Sequence, residues 1–204
     1  MQEVFLMIIL EQNRLFNMND IYILGKLLKK DKRAVAVVGT RMPSKRGKEL
    51  TIKFVKELVK NKFTVVSGLA RGIDTIAHET ALKYGGRTIA VLGSGLDIIY
   101  PPENKNLAEE IIKNGALISG FPYGTKPIGA NFLARNQLIV KLSQAVLVIE
   151  GKQRSGTIST ANHAGNEGVE VFAIAGSEAT DYLIENGATA VQSPKEIVDY
   201  LDNI

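Results

Sequence analysis

Short runs of β-branched residues alternate with stripes of helical period along most of this chain, and that alternation leaves few folds open. Ala34-Val-Ala-Val-Val38 ends at Gly39 and has no polar face, as a strand buried on both sides requires. The stretch 44–61 then places Leu50, Phe54, Val55, Leu58 and Val59 on one helical face, with Ser44 as the candidate N-cap. The same alternation predicts strands over 63–66, 88–92, 116–119, 145–149 and 169–174, and helices over 73–84, 105–113, 132–142 and 157–167. Repeated β-α units build a doubly wound, mostly parallel sheet with helices on both faces, a Rossmann-like α/β fold. Residues 1–33 read as an N-terminal extension with a candidate edge strand over 21–24. One or two final helices are expected within 181–201. No repeat divides the chain, so 1–204 is expected to be a single domain.

Composition narrows the chemistry. A chain of 204 residues buries roughly 70% of its unfolded surface, enough for a substantial core. It contains no cysteine, which excludes disulfides, thiolate metal sites and a cysteine nucleophile. The apolar stretch from Val4 to Leu10 lies between Glu3 and Glu11, too short to span a bilayer and without a basic flank. It is expected to pack as a strand or short helix. The protein is accordingly expected to be soluble and cytoplasmic, with no membrane partner. Charge is unevenly spread: between Lys29 and Lys62 twelve cations face three carboxylates, whereas from Glu178 onward six carboxylates face Lys195 alone. Such polarity draws a polyanion to one face, although lysine runs also serve as solvated helix faces.

In open α/β sheets ligands bind beyond the carboxyl ends of the strands. Here those ends read Gly39-Thr40-Arg41, Ser67-Gly68-Leu69-Ala70-Arg71-Gly72, Gly93-Ser94-Gly95 and Glu150 to Gly156. Glycine admits a ligand close to the backbone, helix starts attract phosphate, and Arg41 and Arg71 add charge-assisted hydrogen bonds. An anion-binding rim is expected. No G-x-G-x-x-G follows Gly93, and Gly47-Lys48 runs on to Glu49 with Met42 at the distal glycine position of a Walker loop. His78 and His163 lack zincin spacing, and Ser67, Ser94 and Ser155 lack a nucleophile elbow. Neither a cofactor, a metal nor a catalytic residue is expected.

Taken in order, the segments resemble the DprA/Smf family of DNA-processing proteins. The resemblance rests on Val38-Gly-Thr-Arg41 with Ser44 and Gly47, Ser67-Gly-Leu-Ala-Arg-Gly-Ile-Asp74 with Ala77-His78, and Ala90-Val-Leu-Gly-Ser-Gly-Leu-Asp97 with Tyr100-Pro101 and Glu103-Asn104. It continues through Asn131-Phe132, Arg135-Asn136, Leu142-Ser143, Ser155-Gly156-Thr157 and Thr160-Ala161. It implies a Rossmann-like domain that binds single-stranded DNA without sequence preference and works as a homodimer. It also implies protection of incoming DNA in natural transformation and loading of a RecA-type recombinase. By the same matching Arg41 is a DNA-contacting arginine and Phe132 an aromatic beside the strand, where the alternative is an ordinary core ring. Asn131, Arg135, Asn136, Ser155, Gly156 and Thr157 join the expected interface. Two departures stand out: Pro102 where members often carry a basic residue, and Ala130 between Gly129 and Asn131. The chain also has no room for the family's accessory terminal domains intact.

Two other readings share the fold. Nucleotide phosphoribohydrolases of the LOG family use P-G-G-x-G-T-x-x-E, but here Thr160 stands at the glutamate position, so the usual general acid/base has no counterpart. A nucleotide or cofactor carrier would use the same rim and remains open.

Overall fold

The computed structural model describes residues 21–153 and 155–204. The stretch from Val4 to Leu10 lies outside them. Among the described residues there are eight strands: β1 (Tyr22–Gly25), β2 (Ala34–Val38), β3 (Thr64–Ser67), β4 (Thr88–Leu92), β5 (Ala116–Ser119), β6 (Ala145–Val148), β7 (Glu170–Ala173) and β8 (Thr189–Ala190). The helices are α1 (Lys45–Lys60), α2 (Ile73–Lys83), α3 (Lys105–Asn114), α4 (Gly129–Lys141), α5 (Gly156–Asn166), α6 (Glu178–Glu185) and α7 (Pro194–Asp202). The strands form one sheet in the order β1-β5-β4-β3-β2-β6-β7-β8. Every pairing is parallel except β1 with β5, so the edge strand expected over 21–24 is present and runs antiparallel to its neighbour. The fold is the expected doubly wound α/β sheet.

Side-chain alternation along each strand feeds separate cores on the two faces of the sheet. Val35, Val37, Val65 and Leu147 point to the face covered by Phe54, Val55 and Leu58 of α1, Ile73 and Ala77 of α2, and Ile197 and Leu201 of α7. Ala36, Val38, Val66, Val91 and Val146 point to the opposite face, covered by Leu138 and Ile139 of α4 and Ala161 and Ala164 of α5. Strand order reverses between β2 and β6, because the chain winds outward through β3, β4 and β5 before crossing back. The crevice beyond the ends of β2 and β6 is therefore the topological switch point, where ligands enter open α/β sheets.

The elements keep within a few residues of their sequence expectations. The largest shift is at α4, which begins at Gly129 rather than 132. Its first turn, Gly129-Ala130-Asn131, carries no apolar stripe, so periodicity could not mark it. The tail resolves into two helices, α6 and α7, joined through β8.

Candidate nucleic-acid interface

At the switch point the expected phosphate seat on α1 is already filled from within. Ser44 caps the helix, its Oγ accepting from Gly47 N at 3.0 Å. The same hydroxyl donates to Glu150 Oε2 at 2.7 Å, and Ser44 N donates to Glu150 Oε1 at 3.0 Å. Thr40 N donates to the Glu150 carbonyl at 2.8 Å, which fastens β2 to the end of β6. A carboxylate at a helix N-terminus satisfies the dipole as a phosphate would. Ser44, itself exposed, and the backbone amide of Thr40 are therefore engaged with Glu150. Gly39 is packed, since a Cβ there would meet Ile73 Cγ1 at 2.6 Å.

The loop after β3 is held by a second carboxylate, Asp74, and this one is buried. Asp74 accepts from Gly68 N at 3.1 Å and Ala70 N at 3.3 Å, so two of the amides expected to face a phosphate are spent inside. Ser67 is fully buried, its hydroxyl donating to Val37 O at 2.7 Å. Gly72, at φ 78°, turns the chain into α2 against the Thr40 and Arg41 carbonyls, where a side chain would collide. Arg135 reaches this loop from α4. It is 5% exposed, and its Nη1 donates to Gly68 O and, at 2.5 Å, to Val91 O. The guanidinium fills the space a Cβ on Gly68 would need. Burial lowers the Arg135 pKa to about 10, opposed by the Asp74 carboxylate. Burial likewise raises the pKa of Asp74, against the pull of Arg135 and the two amides. Arg135 thus fixes the loop and is not a solvent-facing phosphate ligand, which corrects the expectation for it.

What faces solvent is a compact cluster of cations and rings. Arg41 is exposed and makes no ion pair with a carboxylate among the described residues. Its guanidinium carbon lies 5.7 Å from the Phe132 ring centroid, and that of Arg135 lies 5.8 Å away. Phe132 is half-buried, its ring laid against the backbone of Gly93, so it belongs neither to the core nor wholly to the surface. Tyr100, 37% exposed, stands with its ring centroid 5.7 Å from that of Phe132 at 39°. Arg71 is exposed and gripped by Glu103, Nε to Oε1 at 2.5 Å and Nη2 to Oε2 at 3.1 Å. The hydrogen bond holds the Glu103 carboxyl below the ordinary carboxylate range and raises Arg71. Tyr100 and Glu103 carry part of the sequence resemblance but lie outside the interface expected from it. Tyr100-Pro101 was visible as a motif, but an aromatic after a strand gives no sign of which ring it will face.

One turn along α4 the rim continues. Asn136 Nδ2 donates to Gly156 O at 3.3 Å, which docks α4 on the start of α5. Ser155 turns its hydroxyl back to Lys152 O at 2.6 Å and does not cap the helix. Gly156 is exposed and Thr157 buried, so the N-terminus of α5, unlike that of α1, is not closed by a side chain among the described residues. Between α4 and α5 runs an open cleft of about 670 Å³, lined by Asn136, Gln137, Ser155, Ser159, Asn162 and His163 among others. Asn131 lies at the other end of α4, its Nδ2 donating to Lys126 O at 3.1 Å. Thr160 is buried and donates to Gly156 O at 3.0 Å.

Residues 18–202 match the family described as DNA recombination-mediator protein A. The chain is 43% identical over 194 residues to protein Smf of Synechocystis sp., covering 90% of this chain and 49% of that protein. It is 39% identical over 193 residues to the DNA processing protein DprA of Bacillus subtilis, covering 92% and 63%. The chain therefore spans about half to two thirds of the length of these relatives. DprA of Streptococcus pneumoniae superposes with a TM-score of 0.83 at 41% identity, over 88% of this chain and 65% of that one. DprA of Helicobacter pylori, which binds single-stranded DNA, superposes with a TM-score of 0.83 at 34% identity, over 90% and 86%. A molybdenum cofactor binding protein of Rippkaea orientalis, at a TM-score of 0.63 and 17% identity, shares the fold alone.

Proposed function

The chain belongs to the DNA recombination-mediator protein A family, and on that premise we propose that it binds single-stranded DNA, without sequence preference, across the rim beyond β2, β3 and α4. The observation that carries this reading is the surface cluster of Arg41, Phe132 and Tyr100. An exposed guanidinium grips a phosphate while half-buried rings offer a face on which any base stacks. The strand runs from Arg41 over Phe132 toward the open start of α5, with Arg71 at its flank. Ser67, Gly68, Gly72 and Arg135 hold that surface in place from beneath.

Binding, not catalysis, is the activity this reading assigns. Thr160 supports it, because a buried hydroxyl already donated to Gly156 supplies no acid or base where the related hydrolases use a carboxylate. Family membership supports the wider roles: protection of DNA in natural transformation or recombination, partnership with a RecA-type recombinase, and assembly as a homodimer. The same reading takes the chain as one Rossmann-like binding domain working in the cytoplasm. Among the described residues no helix is long and apolar enough to cross a membrane.

The test is competition. Labelled oligo-dT bound to the protein is challenged with unlabelled single strand, with duplex of equal length and with a nucleoside monophosphate. Only single strand should displace the probe at stoichiometric excess, whatever its base composition. Equal displacement by duplex, or tight binding of the monophosphate with release of base, overturns the assignment.

A further inference from the structure

The far end of the sheet carries a second basic groove, remote from the rim. It opens beside the amino ends of β3 and β4, where α1 finishes and α2 turns over. Lys30, Lys56, Lys60, Lys62, Tyr84 and Arg87 line about 450 Å³ of it, and none of the described residues in its wall is a carboxylate. α1 starts beside Arg41 and ends at this groove, and its 16 residues separate the two places by roughly 24 Å. One strand contact at the rim does not reach it.

The charges in the groove are not all neutralised from below. Asp31 is the buried carboxylate of this region, 1% exposed, and Arg87 takes both its oxygens at 2.8 Å. Thr64 donates to it as well, at 2.8 Å, and Arg87 also reaches Lys26 O and Asn114 O. Asp31 is thereby consumed by the fold. Glu57 sits 3.5 Å from Lys60. Lys30, Lys56 and Lys62 have no ion pair with a carboxylate among the described residues. Tyr84 is 41% exposed, and the Lys56 ammonium lies 5.1 Å from its ring centroid.

Cations without a carboxylate partner among the described residues, set around an exposed ring in a concave wall, suit a chain of phosphates with bases between them. An acidic peptide would use the cations and leave the ring idle. We propose that this groove is a second binding site for the backbone of a nucleic acid single strand, engaged by strands long enough to leave the rim and pass along α1. The inference rests on the rim being the first site only for the path between the two; the groove's own cations are tested separately.

The experiment compares native protein, the triple variant Lys30→Gln/Lys56→Gln/Lys62→Gln, and Arg41→Ala, each checked by thermal melting. Two probes are titrated over a salt series: a short oligo-dT of about 4 nucleotides, at the lower end of one groove's site size and too short to join the two places, and a long one of about 40. The triple variant should bind the short probe as native does. It should lose tenfold or more on the long probe at low salt, with the salt slope reduced by about 2 for three lost phosphate contacts. Arg41→Ala should weaken both probes. Native behaviour of the triple variant on the long probe overturns the second site, as does equal competition by polyglutamate that the triple variant abolishes while keeping its DNA affinity. Failure of Arg41→Ala to weaken the short probe counts against the rim and leaves the groove's result standing.

Discussion

Arg41 and Arg135 carry the same guanidinium within reach of the same ring, and burial gives them different work. Arg135 → Ala removes two carbonyl contacts and leaves Asp74 buried without its cation. Each hydrogen bond from a buried charged donor is worth about 1.5–3 kcal/mol of stability, so the melt should fall sharply. Strand affinity per folded molecule should drop with the loop's order, while the salt slope stays near the native value. Phe132 divides its role. Its alanine variant should lose ~1–3 kcal/mol of oligo-dT binding through stacking and only about 1 kcal/mol of stability, since the ring is half-buried. A melt and a titration on the two variants separate the roles.

His78 offers a pH signature at the same scale. It is fully buried, with Nδ1 2.6 Å from Thr88 Oγ1, and Thr88 donates in turn to Val65 O. That chain makes Nδ1 the protonated nitrogen and leaves Nε2 without a partner among the described residues. Burial, aided by Arg135, lowers its pKa from 6.5 to about 3. The unfolded chain therefore takes up the proton first. Stability is full above pH 6.5 and falls as pH drops toward 3, by up to about 1.4 kcal/mol per unit from this group. Denaturant unfolding of native protein and His78→Gln between pH 7 and 4.5 should show the shallower slope in the variant. Parallel slopes would mean the imidazole is solvated.

Among elements, α1 shows how a sequence signature can be right locally and reassigned by the fold. Ser44 caps the helix as its spacing predicts, yet the anion at that N-terminus is Glu150, delivered by β6 from 106 residues away. Ser44→Ala should therefore cost about 1 kcal/mol of stability and leave oligo-dT affinity within twofold. A large loss of binding with an unchanged melt would return Ser44 to the interface. Strands buried on both faces, such as Ala34–Val38, were legible because an unbroken apolar run has few alternatives. The rim glycines were legible as loops but not as to what they approach. Gly68 exists for Arg135 and Gly72 for the Thr40 carbonyl, and such partners are set by tertiary packing. Tyr100 stayed hidden for the same reason, since its meeting with Phe132 joins the end of β4 to α4.

For the whole molecule, the two ends of the sheet differ in kind. The carboxyl ends of the strands gather two carboxylates, the buried Asp74 and the part-exposed Glu150, that set loops and leave Arg41, Arg71 and two rings to face solvent. The amino ends collect lysines around an open groove. The central claim is that strand phosphates are gripped at Arg41, and a salt titration reads it most directly. Oligo-dT binding by native protein and by Arg41→Ala is followed over a range of salt concentrations, with the melts of both proteins alongside. A phosphate gripped at Arg41 predicts equal melts, weaker binding by the variant and a slope of log affinity against log salt smaller by about 0.7, the value for one single-strand phosphate contact. Equal affinity and equal slope in a folded Arg41→Ala protein would contradict it.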